Sequence, residues 1–223
     1  MSRALHAIAG IHLRAGRVTE ALAAARRARE AAAVSAERVP EDLNVQDVLA
    51  VAETGLGDAL ATAGATSEAV AAPDSALAVT RKRFASNPSD LRAVPALAKT
   101  LRHRGIVLRK CGRPAEAVAA LRESIDLLRR SAQSEFLSLY DIACAQALLS
   151  AAAAEAGSGL TADEARAYAA EAVSTLRRCV AAGFRNVPWM LADPDFAPLR
   201  DRPDFRLLAL DMAFPSDPFA ATR

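Results

Sequence analysis

A fixed period of about 48 residues constrains this chain more than any other feature, because units of such length bury their apolar faces only by stacking on one another. Gly16-Arg-Val-Thr-Glu20-Ala21, Gly64-Ala-Thr-Ser-Glu68-Ala69 and Gly112-Arg-Pro-Ala-Glu116-Ala117 stand one period apart. One more step reaches Leu160-Thr-Ala-Asp-Glu164-Ala165, beside Gly159. Two further columns hold only small residues: Ala9, Gly57, Gly105 and Ala153, then Ala28, Ala76, Ser124 and Ala172. Pro40-Glu-Asp42-Leu43 matches Pro88-Ser-Asp90-Leu91, and the next copy, Phe136-Leu-Ser-Leu139, keeps the Leu.

Each unit reads as two helices. Helix A is expected at about 41–63, 89–111 and 137–156, and helix B at about 17–38, 65–86, 113–133 and 161–182. Ala fills about a quarter of the 223 residues, and Leu, Arg and Glu are abundant. All four are strong helix formers. Aromatics are 4% of the chain, too few for a typical sandwich or barrel. The Gly before each B helix suits a left-handed turn. The recurring Glu meets the positive end of the helix dipole. Thr161-Ala-Asp-Glu164 reads as a capping box, Pro114 as a first helical residue, and Asn87-Pro88 as the start of a helix A.

The small columns place contacts inside each hairpin. Ala9/Ala21, Gly57/Ala69, Gly105/Ala117 and Ala153/Ala165 are expected to touch, with Leu56, Leu60, Leu101, Leu108, Leu121 and Ile125 filling the core between units. Pro73 and Pro95 fall inside expected helices and should kink or interrupt them.

The sequence Gly57…Gly64…Glu68-Ala69…Ala76-Leu77 resembles the tetratricopeptide repeat (TPR). The usual unit of that family has about 34 residues, so these helices are longer. The resemblance implies an all-α, TPR-like α-solenoid of antiparallel hairpins. The array spans 1–183, with a shortened unit at 1–39 and full units at 40–87, 88–135 and 136–183. It also implies a non-catalytic scaffold that binds a peptide or helix of another protein on its concave face. Met1 stands in register with Leu49 and Leu97, so the first helix A is shorter than the others. That fits either a chain once joined to something N-terminal or an ordinary short first helix.

Composition changes after Gly183. Phe184, Trp189, Phe196, Phe205, Phe214 and Phe219 lie there with Pro188, Pro194, Pro198, Pro203, Pro215 and Pro218. Residues 184–223 read as a hydrophobic cap on the stack, or as an aromatic ligand pocket around Trp189. Tyr140-Asp-Ile-Ala-Cys144 onward, Leu176-Arg-Arg-Cys-Val-Ala-Ala-Gly-Phe184, Asp193-Pro-Asp-Phe-Ala-Pro-Leu-Arg200 and Asp211-Met-Ala-Phe-Pro-Ser-Asp-Pro-Phe219 resemble the C-terminal TPR region of large bacterial serine/threonine protein kinases. That likeness covers about residues 136–219. It implies an alternative role as the detached regulatory or docking region of such a kinase.

Catalytic motifs are not found. There is no Gly-rich kinase loop, V-A-I-K, D-F-G, Walker loop or G-x-S-x-G. His103-Arg104-Gly105 lies within a helix and lacks the Asp of a catalytic loop. His6, His12 and His103 have no metal-binding spacing. Asp193, Asp195, Asp201 and Asp204 do not follow an EF-hand and read as helix caps. No enzyme activity, cofactor or metal is therefore expected. The net charge is +2, so the whole-protein field does not favour nucleic acid. No apolar stretch is long enough for a membrane span. Cys111, Cys144 and Cys179 are odd in number and form no C-x-x-C, which favours a reducing, cytoplasmic setting.

Two basic patterns stand out. Arg81-Lys82, Arg129-Arg130 and Arg177-Arg178 follow the same period and read as a basic ladder or as solvated helix ends. Lys99, Arg102, Arg109 and Lys110 lie on the third helix A, at TPR positions that line the concave groove. Their equivalents are Val51, Thr54, Ala61 and Thr62, then Ala147, Ser150, Gly157 and Ser158. This single basic copy reads as an anchor for an acidic partner peptide or as a solvated face.

Overall fold

The computed structural model describes residues 1–86, 90–131 and 136–214. Among these, ten α-helices follow in order: α1 (Ser2–Arg14), α2 (Val18–Arg38), α3 (Leu43–Thr62), α4 (Thr66–Ser86), α5 (Ala93–Lys110), α6 (Pro114–Arg130), α7 (Phe136–Ala152), α8 (Ala162–Ala181), α9 (Val187–Ala192) and α10 (Pro203–Ala213). A 3-10 helix at Pro194–Leu199 separates the last two, and the described residues contain no strand. The odd-numbered helices up to α7 are the expected A helices, and the even-numbered ones up to α8 are the B helices. The fold is all-α, with hairpin following hairpin as in an α-solenoid. The chain divides into two compact units, Met1–Leu127 and Leu128–Arg223.

In the first unit the sequence period becomes a repeated turn. Gly16, Gly64 and Gly112 have φ of 70°, 81° and 70°. The amide of the following residue then reaches back to close each A helix: Arg17 donates to His12 O, Ala65 to Leu60 O and Arg113 to Leu108 O, at 2.9–3.0 Å. This is a Schellman closure, in which a left-handed glycine lets a late amide satisfy a terminal carbonyl. Asp42 caps α3 by accepting from Asn44 N at 2.8 Å.

Helices pack closely where the columns are small. A Cβ on Gly57 would stand 2.8 Å from Pro73 Cδ and 2.9 Å from Ala69 O. One on Gly105 would stand 2.8 Å from Leu121 Cγ. Ala69 and Ala117 are fully buried opposite them, and Ala21 is equally buried in the first hairpin. Between hairpins, α2 packs on α3 and α4 on α5, and the A helices α1, α3 and α5 also touch in sequence. Ile11, Ala59 and Val107 share one column; Ala59 and Val107 are buried, but Ile11 is 52% exposed because no described hairpin packs against the outer side of α1.

The second unit packs α7 against α8 and closes over them with α9, the 3-10 helix and α10. Tyr140 is its hub. The ring stacks on Trp189 at 4.8 Å between centroids and meets Phe196 edge-on at 5.3 Å. Its hydroxyl donates to Asp193 Oδ2 at 2.9 Å. Asp193 Oδ1 in turn accepts from Asp195 N at 3.0 Å, capping the 3-10 helix. At Thr161 the expected capping box forms with Glu164.

The structure corrects the sequence reading in three places. Helix α5 starts at Ala93 rather than 89, so Pro95 sits in its first turn, where a missing N–H breaks no helical bond. Pro73 lies inside α4 but does not interrupt it, since the helix runs from Thr66 to Ser86. In the fourth unit α7 ends at Ala152, so Ala153 falls beyond the helix, and Ala153 and Ala165 are only half-buried. The Asn87-Pro88 start, the end of the third B helix near 133, Pro215, Pro218 and Phe219 lie outside the described residues.

Candidate functional site

The A helices of the first unit form one layer. Equivalent positions on neighbouring A helices meet across it. Arg92 Nη1 donates to Asn44 Oδ1 at 3.0 Å, and Lys110 Nζ to Thr62 Oγ1 at 3.2 Å. The partners in both pairs stand one period apart. The repeat therefore builds columns that run across the layer, and one of them is His6, Thr54 and Arg102.

The four expected basic residues all lie on α5, but in different settings. Lys99 is exposed and Arg109 is half-buried. Arg102 is only 8% exposed. Lys110 Nζ reaches 2.5 Å from Asp58 Oδ1 on α3, an ion pair across the layer. Lys110 is thus paired within the layer, whereas Lys99 is exposed.

Residues that sequence reasoning passed over lie near Lys99. His6 of α1 lies over Gly55 of α3, where a Cβ would stand 2.6 Å from the imidazole Cε1. Gly55 occupies the column of His103, and its missing side chain leaves the space that the imidazole fills. Burial, then the positive field of Lys99, lowers the pKa of His6, while Asp58 opposes the shift. Burial also holds His103 well below the ordinary histidine value, and the fields of Arg102, Lys99 and His6 add to it. His6, Lys99, Arg102 and His103 thus lie within electrostatic reach of one another on the A helices, with Asp58 acting on His6 as well. Stepping from His6 by the period, through Thr54 to Arg102, was the signal that could have found this proximity.

Two residues of the dibasic pattern are held in ion pairs. Arg81 donates to both carboxylate oxygens of Glu123, at 2.9 and 3.1 Å. Arg129 donates to Glu171 at 3.4 Å. Glu123 and Glu171 are themselves one period apart, so each Arg is tied to a neighbouring B helix by the same column pair.

In the second unit, Trp189 is 46% exposed and stacks on Tyr140 rather than lining an aromatic cavity. A shallow apolar groove does lie between α9 and α10, with Val187, Leu191, Phe205 and Leu210 on its walls. Cys144, Asp193 and Asp195 bring ligand-type atoms within 4.8 Å of one another; the Asp193 carboxylate is already engaged by Tyr140 and by its capping bond. Burial pushes the Cys179 thiol up to about 11, which makes it unreactive. No described helix is long and apolar enough to cross a membrane.

No protein-family model matches the chain, and no curated protein does. Among solved structures, it is similar to a Podosopora anserina protein described as a kinesin light chain with nearly identical TPR-like repeats. Identity is 18% over 95% of this chain and 90% of that one, with a TM-score of 0.47. A variant of the same protein matches at 18% identity over the same shares, with a TM-score of 0.45.

Proposed function

We propose that this chain is a non-catalytic scaffold that binds an acidic peptide or helix of a partner protein on the face formed by α1, α3 and α5. What supports the reading is that Lys99, Arg102, Arg109 and Lys110 all belong to α5, where Lys99 is exposed to solvent. A rigid face of this kind holds a ligand at low ordering cost, and its positive field speeds the encounter with an acidic partner. Lys99 and Arg109 make the outer contacts. Lys110 exchanges Asp58 for a partner carboxylate. The cytoplasm is the setting for such a scaffold.

The test is fluorescence anisotropy with a labelled Glu-rich peptide and its Gln-substituted twin. The Glu peptide should bind at least tenfold tighter, and Lys99→Ala with Arg109→Ala should remove that preference. Equal binding of the two peptides would refute the reading.

A second reading is the detached docking region of a bacterial serine/threonine protein kinase. One observation favours it. Tyr140, Cys144, Cys179, Phe184, Phe196 and Phe205, which carry that sequence likeness, pack into a single core.

A further inference from the structure

We propose that the outer side of the first hairpin is a second docking surface, and that it takes an amphipathic helix of a partner protein with an apolar stripe and acidic flanks. The partner helix seats on α1 as α2 seats on α3 and α4 on α5. This surface is separate from the one described above.

The repeat columns show what the outer side of α1 is built to receive. Ala4, Ile8 and Ile11 form one stripe, on the side of α1 opposite His6, which lies over Gly55 of α3. Their equivalents are Ala52, Leu56 and Ala59 on α3, and Thr100, Arg104 and Val107 on α5. On those helices the columns meet the preceding hairpin. Ala59 clusters with Ala9, Ala24 and Ala25, and Val107 with Leu60 and Ala69. Arg104 Nε reaches Asp74 Oδ1 on α4 at 2.5 Å. Ala52 and Thr100 are buried. On α1 the same columns are open: Ala4 is exposed, and Ile8 and Ile11 are 42% and 52% exposed. The face therefore continues the interface between hairpins, and what covers it elsewhere in the chain is a B helix. Where Arg104 meets an acid, Ile8 calls for an apolar partner.

Charge selects among helices. Glu123 and Glu171 each accept from an Arg of the preceding B helix, Arg81 and Arg129. Two periods before Glu123 stands Arg27, so the sign at this column is reversed. A helix docked before α2 must supply an acid where α4 carries Arg81. Arg3 and Arg14 are the charged residues of α1, which has no acid. Arg3, Arg14 and Arg27 are exposed, and none has an ion-pair partner among the described residues. Two copies of the chain meeting through α1 would set cations against cations, which disfavours that pairing. An acidic helix of another protein meets both requirements, apolar contact and opposite charge.

The probe is a labelled peptide with the α4 sequence, Thr66–Ser86, carrying Pro73→Ala for helicity, Asp74→Leu to meet Ile8 and Arg81→Glu to meet Arg27. Fluorescence anisotropy reads its affinity for the whole chain, and sedimentation velocity reads self-association of the chain alone. We expect saturable binding that Ile11→Glu, at an exposed position, weakens about tenfold or more. Arg27→Glu should weaken it about threefold, and a peptide that keeps Arg81 should regain the loss on that variant. No binding, or binding that Ile11→Glu leaves unchanged, overturns the inference. Binding lost with Lys99→Ala and Arg109→Ala but kept in Ile11→Glu overturns it and leaves the scaffold reading standing. Self-association that Ile11→Glu removes assigns the face to a second copy and overturns it as well.

Discussion

Ser124 Oγ donates to the carbonyl of Ala98 at 2.8 Å, across the buried interior of the third hairpin. In the first hairpin the same two columns are bridged the other way: Ser2 Oγ donates to Ala28 O, also at 2.8 Å. Ala50 and Ala76 take these positions in the second hairpin, and both are buried. This column pair therefore holds nothing larger than a hydroxymethyl group in the first unit. Ser124→Ala should cost about 1 kcal/mol or less, since it loses one hydrogen bond while Ala98 O keeps its helical partner. Ser124→Leu should cost about 1–3 kcal/mol through overpacking. Urea unfolding distinguishes the two, and equal costs would contradict the close approach.

The same approach predicts an order among glycine substitutions. A Cβ at Gly57 meets the Pro73 ring and a backbone carbonyl, both fixed, whereas at Gly105 it meets Cγ of the buried Leu121 side chain, which has only its χ angles to adjust. Each Gly→Ala change gains about 1 kcal/mol of helix propensity. Both changes should nevertheless be net destabilising, Gly57→Ala by more than Gly105→Ala. Thermal melts of the two variants check the order.

Arg83 donates to Asp90 Oδ2 from Nε at 2.9 Å and from Nη2 at 2.6 Å, and it also pairs with Asp47. The Arg92 amide, then Arg83, holds the Asp90 carboxyl below its ordinary range. A lowered carboxyl pKa gives stability that is present above the unfolded-state value near 3.8 and is lost as pH falls through the folded one. Asp90→Asn should therefore lower stability at pH 7 and shrink the loss on acidification below about pH 4. Denaturant midpoints at pH 7 and pH 3 give both numbers.

The ion pairs between B helices should matter little. Arg81 and Glu123 are both about half exposed, and such pairs contribute about 0–1 kcal/mol. Arg81→Ala and Arg129→Ala should leave stability within about 1 kcal/mol of wild type and leave peptide affinity unchanged. A tenfold loss of affinity would move the docking surface from the A helices to the B helices.

Much of this fold could be read from the period. Gly16, Gly64 and Gly112 mark the helix ends to within a residue or two because a left-handed glycine is a local requirement. The small columns mark the hairpin contacts because close approach forbids anything larger. What could not be read depends on tertiary partners. Asp90 looks like the cap Asp42 one period earlier, but Arg83 takes one of its oxygens and α5 begins at Ala93. Helix α7 stops at Ala152, and Gly157 and Gly159, both with positive φ, shape a longer connection that the column of Ala153 does not reveal. At the site, Lys99, Arg102, Arg109 and Lys110 were visible as a stripe. His6 and His103 were not, because they come together only when α1, α3 and α5 lie side by side and Gly55 leaves room between them.

The most direct test is amide NMR mapping of the Glu-rich peptide on the protein. Shift changes are predicted on α1, α3 and α5, centred on His6, Gly55, Lys99, Arg102 and Arg109, with α2 and α4 undisturbed. Changes concentrated on α2 and α4, or on the α9–α10 groove, would contradict docking on the A-helix face.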